Sequence, residues 1–135
     1  MTFVVDASVS LAWCFEDEKA DVTERLLRRC AIEGATVPGI WTYEMVNGLR
    51  AGVLRGRISG DQAVSCWRLL TSLPITVIDI DPLDGEEIWR LALHLGLTGY
   101  DASYLCLCQW SELPLATTDR GMRTAAASMK IDALG

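Results

Sequence analysis

The chain has 135 residues, of which half are hydrophobic and 22% are charged, and its formal net charge is −6. This length and composition predict a single domain over residues 1–135 with a substantial core. The acidic balance argues against a protein that coats nucleic acid, although it does not exclude an enzyme that cuts it. No apolar stretch is long enough to cross a bilayer, and the N-terminus lacks the basic-then-apolar pattern of a signal peptide. We therefore expect a cytoplasmic protein without a membrane segment.

Turn residues and hydrophobic periodicity predict short strands that alternate with helices. Residues 2–6 are β-branched and aromatic, as in a buried strand, and Ser8 is expected to cap the next helix. Ser59 and Gln62 have capping-box spacing. The predicted strands cover residues 2–6, 36–38, 75–80 and 115–118, with an edge strand within 130–134. The predicted helices cover residues 8–15, a segment that follows and ends near 32, 41–54, a segment that begins at 59, 83–95, 100–110 and 120–129. This order predicts an α/β fold with a central parallel sheet of four to five short strands and helices on both faces.

The cysteines and the single histidine carry no recognisable motif. The five cysteines form no Cys-x-x-Cys pair, and their odd number favours reduced, structural thiols in a cytosolic protein. His94 lies in an amphipathic segment without a nucleophile or acid that would pair with it, so we interpret it as structural.

Four acidic residues fall where a parallel α/β domain places its functional groups. Asp6 ends the first predicted strand and Asp119 follows the fourth, whereas Glu44 and Asp101 fall near the starts of helices. Sites in open parallel sheets form beyond the carboxyl ends of the strands, where the strand order reverses. Converging carboxylates repel one another and need a cation, and carboxylate with water is the ligand set of Mg²⁺ or Mn²⁺. Each acid alone is explained as well by a turn, a cap or a surface position, so the agreement of all four favours a site.

Polar neighbours of these acids are candidates for a supporting role. Ser8 follows Asp6 by two residues, Asn47 lies one turn after Glu44, and Thr117 points to the same side of its strand as Asp119. Five arginines near the acids could contact substrate phosphates, although each alone is more simply solvated helix surface; they are Arg50, Arg55, Arg57, Arg120 and Arg123.

Four segments together resemble the motifs of PIN-domain nucleases, in the order that this family has them. They are VVDAS at 4–8, PGIWTYEMVNGL at 38–49, TGYDASYL at 98–105 and LATTD at 115–119. The small size of the chain is similar to that of the VapC-like toxins of toxin–antitoxin pairs. The resemblance implies a PIN fold, RNA cleavage that depends on Mg²⁺ or Mn²⁺, a homodimer, and inhibition by a small VapB-like antitoxin. It also implies that Asp6, Glu44, Asp101 and Asp119 are the catalytic acids and metal ligands, with Ser8, Asn47 and Thr117 in supporting positions.

The reaction that this resemblance implies is hydrolysis of an RNA phosphodiester by water, assisted by one or two metal ions. One alternative is a receiver-type signalling domain that binds Mg²⁺, with Asp79 as its phosphate acceptor. That alternative lacks an acidic neighbour for Asp6, and Lys130 is poorly placed for it. A second alternative is a PIN-shaped binding module without activity, and the complete set of four acids argues against it.

Overall fold

Five strands and seven α-helices alternate along the residues that the computed structural model describes, which are residues 2–135. The strands are β1 (Val4–Val5), β2 (Ala35–Pro38), β3 (Ile75–Ile78), β4 (Leu115–Ala116) and β5 (Ala133–Leu134). The helices are α1 (Ala7–Ala12), α2 (Asp21–Glu33), α3 (Ile40–Leu54), α4 (Gly60–Ser72), α5 (Gly85–Leu95), α6 (Gly99–Ser111) and α7 (Arg120–Ser128). Short 3₁₀ turns at Glu16–Glu18 and Pro82–Asp84 complete this part of the chain.

All five strands are parallel, in the order β3-β2-β1-β4-β5. The chain moves outward from β1 to β3 and then returns to the other side of β1 to form β4 and β5. Parallel crossovers are right-handed, so this reversal puts helices on both faces of the sheet. The reversal falls between β1 and β4, which pair with Val4 opposite Leu115 and Val5 opposite Ala116. The α/β class and the parallel sheet are confirmed.

Strands β1 and β4 contain only two residues each. Burial in the core, rather than a long ladder of hydrogen bonds, stabilises them. Val4, Val5, Leu115 and Ala116 are completely buried. Helix α6 packs against β1, β2 and β4, and its residues 102–108 are all buried. A helix that is buried on every side belongs to the core, and Asp101 lies in its first turn.

Several local predictions are confirmed and others are wrong in their details. Ser59 and Gln62 form the capping box of α4. However, Asp6 caps α1 in place of Ser8, since its carboxylate accepts the backbone N–H of Val9. Helix α1 ends at Ala12 instead of continuing to residue 15, and the predicted strands over 75–80 and 115–118 end at Ile78 and Ala116.

Large apolar side chains are exposed along the edge strand β3 and the neighbouring helix α5. Edge strands present unpaired backbone groups, and exposed apolar patches mark interaction surfaces. The most exposed side chains here are Val77 and Ile78 of β3, Trp89 and Leu93 of α5, and Leu83 of the 3₁₀ turn between them. Among residues 2–135, no helix combines the length and the apolar character needed to cross a membrane.

The prediction that all five cysteines are reduced is wrong for two of them. Cys14, just after α1, and Cys66, in α4, form a disulfide across 52 residues of sequence, with their Cα atoms 5.6 Å apart. Their sequence spacing gave no sign of this pair, because only the packing of α4 brings the two residues together. The other three cysteines are buried free thiols. Burial raises the pKa of the Cys30 thiol to about 11, which is consistent with a structural role.

Reduction should destabilise the protein measurably. A disulfide that closes a loop of this length lowers the conformational entropy of the unfolded chain and so adds about 4 kcal/mol at most to the free energy of unfolding. The melting temperature should therefore fall by on the order of 10 °C in reductant. The control is the double variant Cys14→Ser, Cys66→Ser, whose melting should not respond to reductant. A thiol count in denaturant should find three free thiols in the oxidised wild type, and a count of five would show that the pair does not form.

Candidate active site

The carboxylate of Asp6 is buried at the carboxyl end of β1, with only 6% of the residue exposed. It accepts hydrogen bonds from the hydroxyl of Ser8, the backbone N–H of Val9 and the hydroxyl of Thr117. Burial disfavours the charged form and the hydrogen bonds favour it. Burial has the larger effect, so the pKa of Asp6 is raised despite these donors.

Thr117 and Ser8 connect Asp6 to the segment that carries Asp119. The Thr117 hydroxyl donates to Asp6 and accepts the backbone N–H of Asp119 at 3.0 Å. The Ser8 hydroxyl likewise donates to Asp6 and accepts the backbone N–H of Thr118 at 3.0 Å. Asp119 in turn caps α7, because its carboxylate accepts the N–H of Met122 at 2.8 Å. The ends of β1 and β4 are thereby joined through side chains beyond the last strand residues.

Glu44 lies in the second turn of α3, and Tyr104 of α6 holds it. The Tyr104 hydroxyl, almost completely buried, donates to the Glu44 carboxylate at 2.7 Å. Burial raises the pKa of Glu44, the Tyr104 hydrogen bond lowers it, and the charges of Asp101 and Asp6 raise it further. Burial and the Glu44 charge raise the pKa of Tyr104, so its hydroxyl keeps its proton and remains a donor. The sequence alone assigned no role to Tyr104, although its position one turn after Asp101 in an apolar helix was an available signal.

Asp101 is half-buried in the first turn of α6. Thr98 caps this helix by accepting the backbone N–H of Asp101 at 3.1 Å, so the carboxylate of Asp101 does not serve as the cap. Its pKa is raised mainly by burial and also by the charge of Asp119, while Thr98 lowers it. The Asp101 carboxylate is therefore close enough to both Glu44 and Asp119 to interact with their charges.

All four predicted acids line one open cavity of about 210 Å³. Its walls are Asp6, Ala7, Ser8, Glu44, Asp101, Tyr104, Asp119 and Met122, so it contains no basic side chain. As the side chains stand, no three His, Cys, Asp or Glu residues among 2–135 are grouped closely enough to enclose a metal ion. Mg²⁺ needs no such cage, since one or two carboxylates and several waters suffice. Hard oxygen donors, mutual repulsion and the open volume therefore fit a hydrated divalent cation.

Of the other predicted site residues, Ser8 lines this cavity and the rest do not. Ser8 is in its wall and Thr117 is buried beneath it. Asn47 is exposed and is not part of the wall. Arg57 pairs with Asp17 and Glu18 at 2.9 and 2.8 Å, which removes it as a candidate phosphate contact in this cavity. His94, in the last turn of α5, is exposed and also lies away from the four acids.

Comparison with known proteins matches this arrangement to one family. The PIN domain family model matches residues 3–128. Ribonuclease VapC9 of Mycobacterium tuberculosis is 33% identical over 119 residues, which are 86% of this chain and 84% of that protein. Ribonuclease VapC3 of Pyrobaculum aerophilum is 31% identical over 124 residues, 89% of this chain and 91% of that one. The crystal structure of PAE2754 from Pyrobaculum aerophilum has a TM-score of 0.72 and 27% identity, covering 93% of this chain and 79% of that one.

The chain belongs to the PIN domain family, and its relatives include proteins named as VapC ribonucleases. The resemblance stated from the four motifs is confirmed. The receiver-type alternative is excluded by this match, and Asp79, its supposed phosphate acceptor, follows the edge strand β3 and lies outside the acidic cavity.

The repulsion among the acids predicts opposite effects of one substitution in two buffers. An acid whose pKa is raised by folding lowers stability as pH rises through its folded pKa, so at neutral pH removing its charge should help the fold. In chelator, Asp101→Asn should melt at or above wild type. In millimolar Mn²⁺, wild type should gain several degrees, because an ion bound only by the native state adds about 2.7 kcal/mol at a hundredfold excess over Kd. The variant should gain much less.

The matched control for this comparison is Asp132→Asn. It removes the same charge from an exposed position before β5, at the other end of the sheet. Its Mn²⁺-dependent shift should equal that of wild type. A wild-type protein that does not respond to Mn²⁺, or an Asp101→Asn variant that responds equally, would contradict a cation site at the four acids.

Proposed function

We propose that this protein is a metal-dependent endoribonuclease that hydrolyses RNA phosphodiester bonds and acts as the toxin of a toxin–antitoxin pair. The observation that carries the proposal is the meeting of Asp6, Glu44, Asp101 and Asp119 at one cavity without a basic side chain. Membership of the PIN domain family and the ribonuclease names of the relatives support it. We further propose that residues 1–135 act as one nuclease domain in the cytoplasm.

The four acids divide into two kinds of environment. Asp6 is buried and hydrogen-bonded, so the position of its carboxylate is the most restrained of the four. Asp119 and Asp101 lie closer to solvent, where an RNA phosphate and water have access. Glu44 is oriented by Tyr104. Ser8 and Thr117 keep Asp6 in place, whereas Asn47 has no equivalent contact in the cavity wall.

A divalent cation, Mg²⁺ or Mn²⁺, would lower the pKa of the attacking water and offset charge on the phosphate. Asp6, Asp101 and Asp119, with Glu44, are the residues that would hold it, and their hard oxygen atoms suit such an ion. One of the solvent-accessible acids can also accept the proton of the water. No side-chain nucleophile is required, which fits a cavity wall without cysteine, histidine or lysine.

Amide substitutions at the acids should abolish cleavage and leave the fold intact. Asp6→Asn, Asp101→Asn, Asp119→Asn and Glu44→Gln each keep the size of the side chain and remove its charge. With single-stranded RNA and saturating Mg²⁺, each should lose at least about a hundredfold in rate. His94→Ala is the control and should cleave as wild type does, because His94 lies outside the cavity.

Two outcomes would count against this assignment. Near wild-type activity in any of the four variants would remove that residue from the catalytic set. A wild-type protein that binds Mn²⁺ and RNA but never cuts would favour the alternative of a PIN-shaped binding module.

We propose two protein partners for the toxin. One is a small VapB-like antitoxin, which would lay an apolar side chain in a groove between helices and direct a basic residue to the acids. An arginine suits that role, because its guanidinium pairs with a carboxylate through two hydrogen bonds. The other is a second copy of this chain, and the exposed apolar side chains of β3 and α5 support a homodimer.

Expression in a bacterial host should arrest growth, and co-expression with the protein encoded beside it should restore growth. RNA cleavage by free toxin is the cause of arrest in this proposal, so Asp119→Asn at the same expression level should be harmless. Colony counts after induction, together with immunoblots of the soluble protein, make the measurement. Normal growth with abundant, intact, soluble wild type would contradict the toxin assignment.

A further inference from the structure

We propose that Arg123, on α7, is a positioning residue that fixes Thr117 and, through it, both Asp6 and Asp119. Its guanidinium Nη2 donates to the carbonyl of Thr117 at 3.0 Å and to the main-chain oxygen of Gly135 at 2.8 Å. The guanidinium thus joins the ends of β4 and β5, one residue beyond each strand. The inference rests on the proposed nuclease function for its catalytic consequence, although its structural consequence is independent of it.

Thr117 is the connection through which Arg123 acts. Its side chain bonds both acids, as donor to Asp6 and as acceptor from the N–H of Asp119. Its carbonyl lies on the other side of the same residue, where Arg123 holds it. The N–H of Thr117 still donates to the carbonyl of Leu134 in β5 at 3.0 Å, whereas its carbonyl accepts from Arg123 of α7. Freeing this carbonyl would loosen the main chain at Thr117 and with it the placement of the hydroxyl between Asp6 and Asp119.

The surroundings of the Thr117 carbonyl leave little room for a substitute. A Cβ added at Gly135 would stand 2.7 Å from this oxygen and 3.4 Å from Nη2 of Arg123, and φ at Gly135 is +117°. Glycine is therefore the residue that lets the two chain segments and the guanidinium meet. Both bonds of Arg123 are made to main-chain oxygen atoms and neither to an acid, so its effect is one of geometry, transmitted by hydrogen bonds.

The first test uses amide exchange, which does not require RNA cleavage. In Arg123→Ala, the amide of Asp119 should exchange about tenfold faster than in wild type, the factor expected for one lost hydrogen bond. Amides in the buried centre of α6, such as Leu105, should be unchanged and report global stability. Arg123→Lys should be intermediate, since the ammonium keeps a donor while the shorter side chain brings it less close to the two oxygen atoms. It also serves as the test variant if Arg123→Ala does not fold.

The second test separates positioning from contact with the substrate. Outer contacts of metal ligands typically contribute 10–100-fold to metal affinity or activity, so Arg123→Ala should lower kcat about tenfold or more and weaken Mn²⁺ binding in calorimetry. Its KM for single-stranded RNA should stay within about twofold, a change of under half a kcal/mol. Arg68→Ala, which removes the same charge from an exposed position on α4, is the control and should match wild type.

The outcomes distinguish this inference from the proposed function. Wild-type exchange at Asp119 in Arg123→Ala would overturn the positioning role, whatever the activity. A rise in KM alone would make Arg123 a substrate contact and overturn it as well. If wild type cleaves no RNA, the nuclease proposal fails, while faster exchange at Asp119 and weaker Mn²⁺ binding in the variant would still support the role of Arg123.

Discussion

The buried carboxylate of Asp6 is the constraint on which the arrangement of the site depends. Placing a carboxylate inside a core is unfavourable unless donors surround it. This fold supplies one donor from the backbone of α1, one from Ser8 and one from Thr117 beyond β4. Meeting that requirement connects β1, α1 and β4 at the point where the strand order reverses. The two-residue strands β1 and β4 are therefore stabilised by burial of their own side chains and by the hydrogen bonds of Asp6 just beyond their carboxyl ends.

The four acids form two pairs that differ in the hydrogen bonds and secondary structure elements that position them. Asp6 and Asp119 are joined by the Thr117 hydroxyl, whereas Glu44 and Asp101 belong to helices α3 and α6, with Tyr104 holding Glu44. Burial is the largest cause of the raised pKa of Asp6, Glu44 and Asp101, and repulsion from the other acids adds to it for Glu44 and Asp101. A bound cation would oppose both effects, since a nearby positive charge favours the charged form of each carboxylate. The same features that make the acids unfavourable without a cation would therefore favour the binding of one.

Much of the fold and the meeting of the four acids at one cavity could be predicted from the sequence, because both depend on local patterns. Apolar runs before Asp6 and Asp119 indicated where β1 and β4 lie, although β4 ends two residues earlier than predicted, and Ser59 with Gln62 indicated the start of α4. The contacts that could not be predicted join residues distant in the chain. Tyr104 reaches Glu44 across 60 residues, and Cys14 meets Cys66 across 52. Caps also moved by a few residues: Asp6 replaced Ser8 at α1, because the buried carboxylate is the better acceptor for a free backbone N–H.

The placement of the basic residues bears on how an acidic protein would bind a polyanion. Arg57 is paired with Asp17 and Glu18 and lies over the ring of Phe15, and Arg123 is bonded to two main-chain oxygen atoms near the site. Both arginines stabilise the fold locally, and neither lines the acidic cavity. Attraction of RNA phosphates to this cavity would then depend on the cation, because no basic side chain lines its wall. Substrate binding and catalysis would consequently share one requirement, so loss of the cation would remove affinity together with rate. An antitoxin arginine directed to the same carboxylates would compete for that position by supplying the positive charge itself.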